Sequence, residues 1–478
     1  MNPLNLEHSW KLLCAKVFGP EYDHPPELEE IGKQIAEKCQ GLPLTISVIA
    51  GHLSKVARTL ESLMDVSRTM GEIIASHPDK FLGVLGLSYR NLPNHLKPFF
   101  LSIGSFPEDY PVETWRLIQL WIAEGFIRRP ESDKSLEKVE ENYLEDLISR
   151  NLIIVNKRRF SSQIKVCGMH YLLHEFYLTE VEMTKFMHVE RNDVVLTLST
   201  QKYNGRRFSF QINSYSDDRR FKLLPSVARS IYLFSKTHKF VRPEVFSRFH
   251  LLRVLTIFDV NESFLSILPV ITKLFHLRYL QVRSLAKLPT SISELQNLQT
   301  LMYERSYNHA TLPEKSWVNF PIDMSSLTKL EALKCVSNAF LSWTPPISIK
   351  ESFFPASLKR LTFAGWFGFP WEDISTLVKL PNLEELKLKD HAAIGYVWRL
   401  RDDDIFESLK LLLFQKVLFT NWVASSDNLP SLKDLVLKKC DNLKEIPIDF
   451  REICTLESIE LHNCSPFAED SARKIEKE

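Results

Sequence analysis

Along the second half of the chain, leucine and its apolar relatives return in one spacing, L-x-x-L-x-L. The copies are Ala228-Ile231-Leu233, Leu252-Leu255-Ile257, Leu277-Leu280-Val282, Leu298-Leu301-Tyr303, Leu330-Leu333-Cys335, Leu358-Leu361-Phe363, Leu383-Leu386-Leu388, Leu409-Leu412-Phe414, Leu432-Leu435-Leu437 and Leu456-Ile459-Leu461. Successive copies start 21 to 28 residues apart, with one interval of 32 after Leu298. The alternation inside each copy predicts a short strand with one apolar face. A single strand cannot bury that face, so the copies must stack. The long interval predicts an insertion in Glu304–Pro321.

A period of about 20–29 residues is that of leucine-rich repeats, so residues 228–478 are expected to form a horseshoe-shaped solenoid of about ten repeats. Two copies extend to Cys440 and Cys464, three residues past Leu437 and Leu461. A buried Asn or Cys there bonds the turn leaving the strand, so these two read as stacked core cysteines; a metal or redox pair is the other reading. The intervening strand residues are expected to face solvent on the concave side. They include Arg278, Tyr279 and Gln281; Lys359, Arg360 and Thr362; Glu384, Glu385 and Lys387; Lys433 and Asp434; and Glu457, Ser458 and Glu460. Charges of both signs suit recognition of a protein, or docking onto another domain, rather than a polyanion.

The first 180 residues carry a helical period instead. Pro25-Pro26 opens a helix with Leu28, Ile31, Ile35, Ala36 and Cys39 on one face, and Gly41 follows its end as a left-handed cap. Further helices are predicted through Leu44–Leu53, Phe81–Arg90, Leu96–Ile103, Val112–Ala123 and Leu136–Arg150. Two short apolar stretches, Leu152–Asn156 and Ile164–Cys167, flank the polar turn Lys157–Ser162. Helices followed by a hairpin predict a winged helix. Glu137, Glu140, Glu141, Glu145 and Asp146 on its would-be reading helix would repel a duplex, so no nucleic acid is expected.

Composition adds exclusions. The 478 residues hold 60 Lys+Arg against 59 Asp+Glu, a net charge of +1, which gives no overall pull to nucleic acid or anionic lipid. No run approaches the roughly 18–20 apolar residues that span a bilayer, and the N-terminus lacks the apolar core of a secretory signal. Seven cysteines, scattered and without a C-x-x-C pair, fit reduced thiols in the cytoplasm. No catalytic motif and no His/Cys cluster at ligand spacing is present, so neither an enzyme nor a metal site is expected; Arg401–Asp404 reads as a solvated loop.

Several phrases carry a family resemblance. His8–Leu13, Lys16-Val17-Phe18 and Gly41-Leu42-Pro43-Leu44 resemble the later motifs of the nucleotide-binding (NB-ARC) module of plant disease-resistance proteins. Phe100–Tyr110 and Leu117–Phe126 resemble that family's winged-helix signature, and Met169-His170-Tyr171 resembles its Met-His-Asp motif with Tyr171 in the acidic position. Lys287–Leu295 resembles its repeat consensus, and the wording is most similar to late blight resistance proteins of Solanaceae. The resemblance implies an α+β multidomain chain: residues 1–78 as the helical end of the nucleotide-binding module, 79–180 as the winged helix, 181–227 as a connector, then the solenoid. It implies a switch between ADP and ATP, with Pro43 and Leu44 at the adenine and His170 at the terminal phosphate. The implied partners are a pathogen or host protein on the repeats, or the nucleotide-binding module of another chain. The implied place is the cytoplasm or the periphery of a membrane.

The sequence departs from that pattern twice. It contains no G-x-x-x-x-G-K-[ST], so this chain alone is expected to bind ADP weakly and to hydrolyse nothing. It reads as a chain beginning inside the module. Tyr171 is expected to weaken any lock that an acid would supply. Two other readings stay open at this stage: a substrate adaptor of a ubiquitin ligase, which also uses leucine-rich repeats, and a non-functional gene product.

Overall fold

In the computed structural model the described residues are 3–19, 26–56, 59–76, 80–126, 136–158, 163–191, 205–211, 224–234, 243–258, 268–284, 288–305, 322–337, 348–365 and 367–476. They form two compact units, Met1–His188 and Val189–Glu478.

The first unit begins with five helices, α1 (Leu6–Phe18), α2 (Pro26–Lys38), α3 (Pro43–Leu53), α4 (Leu60–Ser76) and α5 (Lys80–Arg90). Their apolar faces share a core of Trp10, Leu13, Ile35, Ile46, Ile49, Met70 and Val84. Asn5 starts α1 by accepting the His8 N–H at 2.8 Å. The chain leaves α2 through two left-handed residues, Gln40 and Gly41, with φ of 56° and 68°. Gly41 is required twice over. Its φ suits glycine, and its carbonyl receives the Leu4 N–H at 2.8 Å, so close that a Cβ would lie 2.3 Å from the Leu4 oxygen. This turn sets Pro43 as the first residue of α3, where its missing N–H costs nothing.

Next come α6 (Lys97–Ile103), β1 (Val112–Glu113), α7 (Thr114–Glu124), α8 (Leu136–Ser149), β2 (Ile154–Arg158), β3 (Ile164–Gly168) and α9 (Tyr171–Thr184). The antiparallel sheet runs β1-β3-β2 and makes the predicted wing, whose tip, 159–162, lies outside the described residues. The helix expected from Val112 begins two residues later. Val112 instead pairs with Cys167 and is fully buried, because a third strand covers the hairpin better than another half-turn of helix would. Trp121 fills the centre, its Nε1 donating to Ser102 Oγ at 2.5 Å and its ring meeting Phe99 edge-on at 4.8 Å.

The second unit is built on a sheet of twelve strands among the described residues, parallel from its second strand to its last. The strands are β4 (His188–Arg191), β5 (Arg207–Gln211), β6 (Ser230–Phe234), β7 (Val254–Phe258), β8 (Tyr279–Ser284), β9 (Thr300–Arg305), β10 (Ala332–Ser337), β11 (Arg360–Gly365), β13 (Glu385–Lys389), β16 (Leu411–Gln415), β18 (Asp434–Lys438) and β19 (Ser458–His462). Two minor pairs lie at the strand exits: β12 (Phe369–Pro370) with β14 (Ala393–Ile394), and β15 (Val397–Arg399) with β17 (Asn421–Val423). Ile231, Leu255, Leu280, Leu301, Leu333, Leu361, Leu386, Leu412, Leu435 and Ile459 form one column, each opposite the next. The interval of 32 leaves this register intact, since Thr300 still pairs with Ala332; most of the expected insertion, 306–321, lies outside the described residues.

The stretch 181–227, expected to be only a connector, supplies β4 and β5 to the sheet. Phe208 and Phe210 stand in β5 where later rungs carry leucine, so a leucine template passes over them. Short turns of 3₁₀ or α-helix, among them Thr290–Glu294, Trp371–Ser375 and Ile448–Glu452, return the chain between rungs. Within three returns, Trp371, Trp398 and Trp422 stack at 5.2 and 5.4 Å, and Phe450 closes the row edge-on at 5.0 Å. Trp398 is fully buried and donates Nε1–H to Ser375 Oγ at 3.1 Å. Trp398→Ala should therefore cost about 3–5 kcal/mol in denaturant unfolding. Tyr396→Ala, at a side chain 75% exposed, should stay within about 0.5 kcal/mol.

Candidate functional site

Two sets of residues qualify. The first lies at the starts of α3 and α9. Pro43 and Leu44 are half-buried in the first turn of α3, and no side chain caps that helix. Thr45, one residue on, is buried, and its hydroxyl has no hydrogen-bond partner. Helix α5 packs against both α3 and α9, and Ser88 Oγ reaches the Val48 carbonyl at 3.4 Å.

His170 is the N-cap of α9, with extended backbone, and its Nδ1 accepts the Leu172 N–H at 3.2 Å. That bond places the imidazole proton on Nε2. Burial holds His170 below the ordinary imidazole range, against an opposing pull from Asp109. Met169 before it is buried. Tyr171 after it is 48% exposed, its ring 4.6 Å from the imidazole.

Pro43 and Leu44 give an apolar face at an uncapped helix start, and His170 gives one neutral N–H donor. They do not include a backbone cradle for phosphates.

The second set is the concave face. Here the expected residues are largely ion-paired across rungs. Lys359 meets Glu331 at 3.2 Å, Lys410 meets Glu384 at 3.2 Å, and Lys433 meets Glu457 at 2.5 Å. Arg360 Nε lies 3.3 Å from Glu385, which Lys387 also contacts. Asp434 accepts the Ser458 hydroxyl at 2.6 Å, and Glu460 lies 3.5 Å from His462. Arg278 is half-buried.

Tyr279 corrects the expectation of a solvent-facing residue. It is fully buried, its hydroxyl 3.2 Å from both Gln281 Oε1 and Met302 Sδ, because the phenol finds its polar partners along the sheet rather than in water. Sequence reading also missed Glu331 and Lys410. The available signal was the column before each strand, Glu331, Lys359, Glu384, Lys410, Lys433 and Glu457, whose signs pair off two by two. A small apolar cluster, Leu411, Leu413 and Val436, lies among these charges.

Among the described residues, no group of three or more His, Cys, Asp or Glu could hold a metal ion. Arg401–Asp404 is an ordered loop: Asp404 Oδ2 accepts the Arg401 N–H at 2.8 Å, and Asn428 Nδ2 donates to the Arg401 and Asp404 carbonyls.

The histidines yield a pH dependence. Burial, then Arg150, lowers the pKa of His52 on α3, and burial lowers that of His170. The unfolded chain thus binds protons that the folded unit refuses. Stability should be full above about pH 6.5 and fall as pH drops through the window below it. Thermal unfolding between pH 7.5 and 5 should show that loss, and His52→Gln should reduce it. Nitrogen-15 spectra at pH 7 should find His170 neutral, with its proton on Nε2; a proton on Nδ1 would contradict the cap.

Comparisons with known proteins agree with this architecture. The profile of the disease resistance protein winged-helix domain matches residues 106–177, and that of a leucine-rich repeat region matches 227–351. Two late blight resistance protein homologues of Solanum demissum are 30% and 29% identical to this chain over its whole length. The chain spans 42% and 44% of those two relatives. A crystal structure of an internalin from Listeria monocytogenes matches at 16% identity and a TM-score of 0.34, covering 55% of this chain and 75% of the internalin. Among the described residues no helix is long and apolar enough to cross a membrane. The chain thus holds a segment that matches the winged-helix domain of disease resistance proteins, then a segment that matches a leucine-rich repeat region, and along its whole length it is similar to late blight resistance protein homologues of Solanum demissum.

Proposed function

We propose that this chain is the switching and recognition portion of a cytoplasmic plant immune receptor. It would act by holding other proteins rather than by chemistry of its own. The observation that carries the reading is the concave face, where charges of opposite sign stand in register across neighbouring rungs. A patterned, mixed-sign face selects one protein surface against others. The occupant would be a pathogen protein or a host protein.

Switching would use the starts of α3 and α9. Pro43 and Leu44 would give an apolar face to adenine, and His170 would donate Nε2–H to a phosphate oxygen. When bound, ADP supplies the anion that makes this donor worth keeping in place. The 478 residues hold no phosphate loop, so tight binding would need that loop from a longer relative or another chain. Titration calorimetry of this chain with ADP should detect no micromolar affinity; micromolar binding would overturn this part.

Recognition is tested by exchanging a charge pair. Lys410→Glu with Glu384→Lys keeps the ion pair, so thermal unfolding should barely move. The same chain, joined to a complete nucleotide-binding module, should lose its cell-death response to a matching pathogen protein in leaves. An unchanged response would refute the assignment of the concave face. In that chimera Tyr171→Asp should lower background cell death, since an acid beside His170 restores the charge that the tyrosine lacks. Equal background in both forms would remove Tyr171 from the switch.

A further inference from the structure

Cys440 and Cys464 occupy the same place in two adjacent rungs. Each follows a left-handed residue, Lys439 with φ of 53° and Asn463 with φ of 51°, so the two turns are copies of one another. The strands before them pair in register through Lys438 and His462, and the Lys439 N–H reaches the His462 carbonyl at 2.8 Å. Continuing that register sets Cys440 opposite Cys464. Neighbouring strands lie about 4.8 Å apart, inside the range of about 4.4–6.8 Å between Cα atoms that a disulfide bridges.

The two thiols are not equivalent. Cys440 is buried, its Sγ 3.8 Å from the Phe414 carbonyl. Cys464 is half-buried, its Sγ 3.4 Å from the Leu437 carbonyl. Each sulfur thus closes the end of the preceding rung.

We propose that Cys440 and Cys464 form a peroxide-driven dithiol–disulfide pair, with Cys464 attacking and Cys440 resolving. The Cys464 thiolate attacks one oxygen of hydrogen peroxide. An S–O bond forms, the O–O bond breaks, and hydroxide leaves, giving a sulfenic acid. The Cys440 sulfur then attacks the Cys464 sulfur; an S–S bond forms, the S–O bond breaks, and the oxygen departs as water with the Cys440 proton. Peroxide gains two electrons and the thiol pair loses two hydrogens. External thiols reverse the step by exchange.

The electrostatics support these roles. The contact between the two thiols lowers the Cys464 thiol below its ordinary range, while the same contact and burial push the Cys440 thiol up. The thiol nearer solvent is therefore the readier of the two to lose its proton. Its neighbour keeps the proton that the departing oxygen needs.

The test is a peroxide time course on the full chain, blocked with an alkylating reagent and mapped by mass spectrometry without reduction. The expected product is the Cys440–Cys464 cross-link, with Cys464 modified before the exposed Cys454. Cys440→Ser, which keeps a polar group beside Cys464 but cannot resolve it, should stop the reaction at a Cys464 sulfenic acid that dimedone traps. Cys464→Ser should leave Cys440 unmodified. Oxidation of Cys454 first, or of Cys440 in the Cys464→Ser chain, would overturn the proposal. In the unmutated chain, which needs no variant to fold, peroxide that leaves Cys440 free after Cys464 has reacted would do the same.

Discussion

Every rung of the repeat unit depends on one constraint. A five- or six-residue strand has an apolar face that only an identical face can cover, one strand spacing away. The column from Ile231 to Ile459 meets that condition residue by residue. Because the strands are parallel and in register, whatever stands at one position in one rung stands beside the same position in the next. Apolar burial sets the register, and all other columns inherit it.

The inherited columns explain features of unlike chemistry. On the concave side they set Lys359 against Glu331 and Lys433 against Glu457. At the strand exits they set Trp371, Trp398 and Trp422 face to face. Past the strand ends they set two sulfurs on successive carbonyls. Exposed ion pairs contribute only about 0.2–1 kcal/mol each, so these charges follow the fold rather than hold it. The buried tryptophans and leucines hold it.

The solenoid was legible because its signal is additive: ten copies of one spacing outweigh any irregular one. The rung at Phe208 was not, since phenylalanine replaced the leucine that defines the template. The winged helix was legible as helices followed by a hairpin, but β1 was hidden, because Val112 fits a helical face as well as a strand. The site was legible in parts. Resemblance singled out His170 and Pro43 as candidates, yet no spacing could show that the imidazole caps α9 through Nδ1. Tyr279 was misplaced because period alone assigns a face and says nothing about what covers it.

The interval between β9 and β10 carries a wider consequence. Its extra length leaves the pairing of Thr300 with Ala332 untouched. A solenoid with this property can gain, lose or lengthen a unit by recombination without disturbing its neighbours. Such a chain can vary the surface it presents while the supporting lattice stays the same.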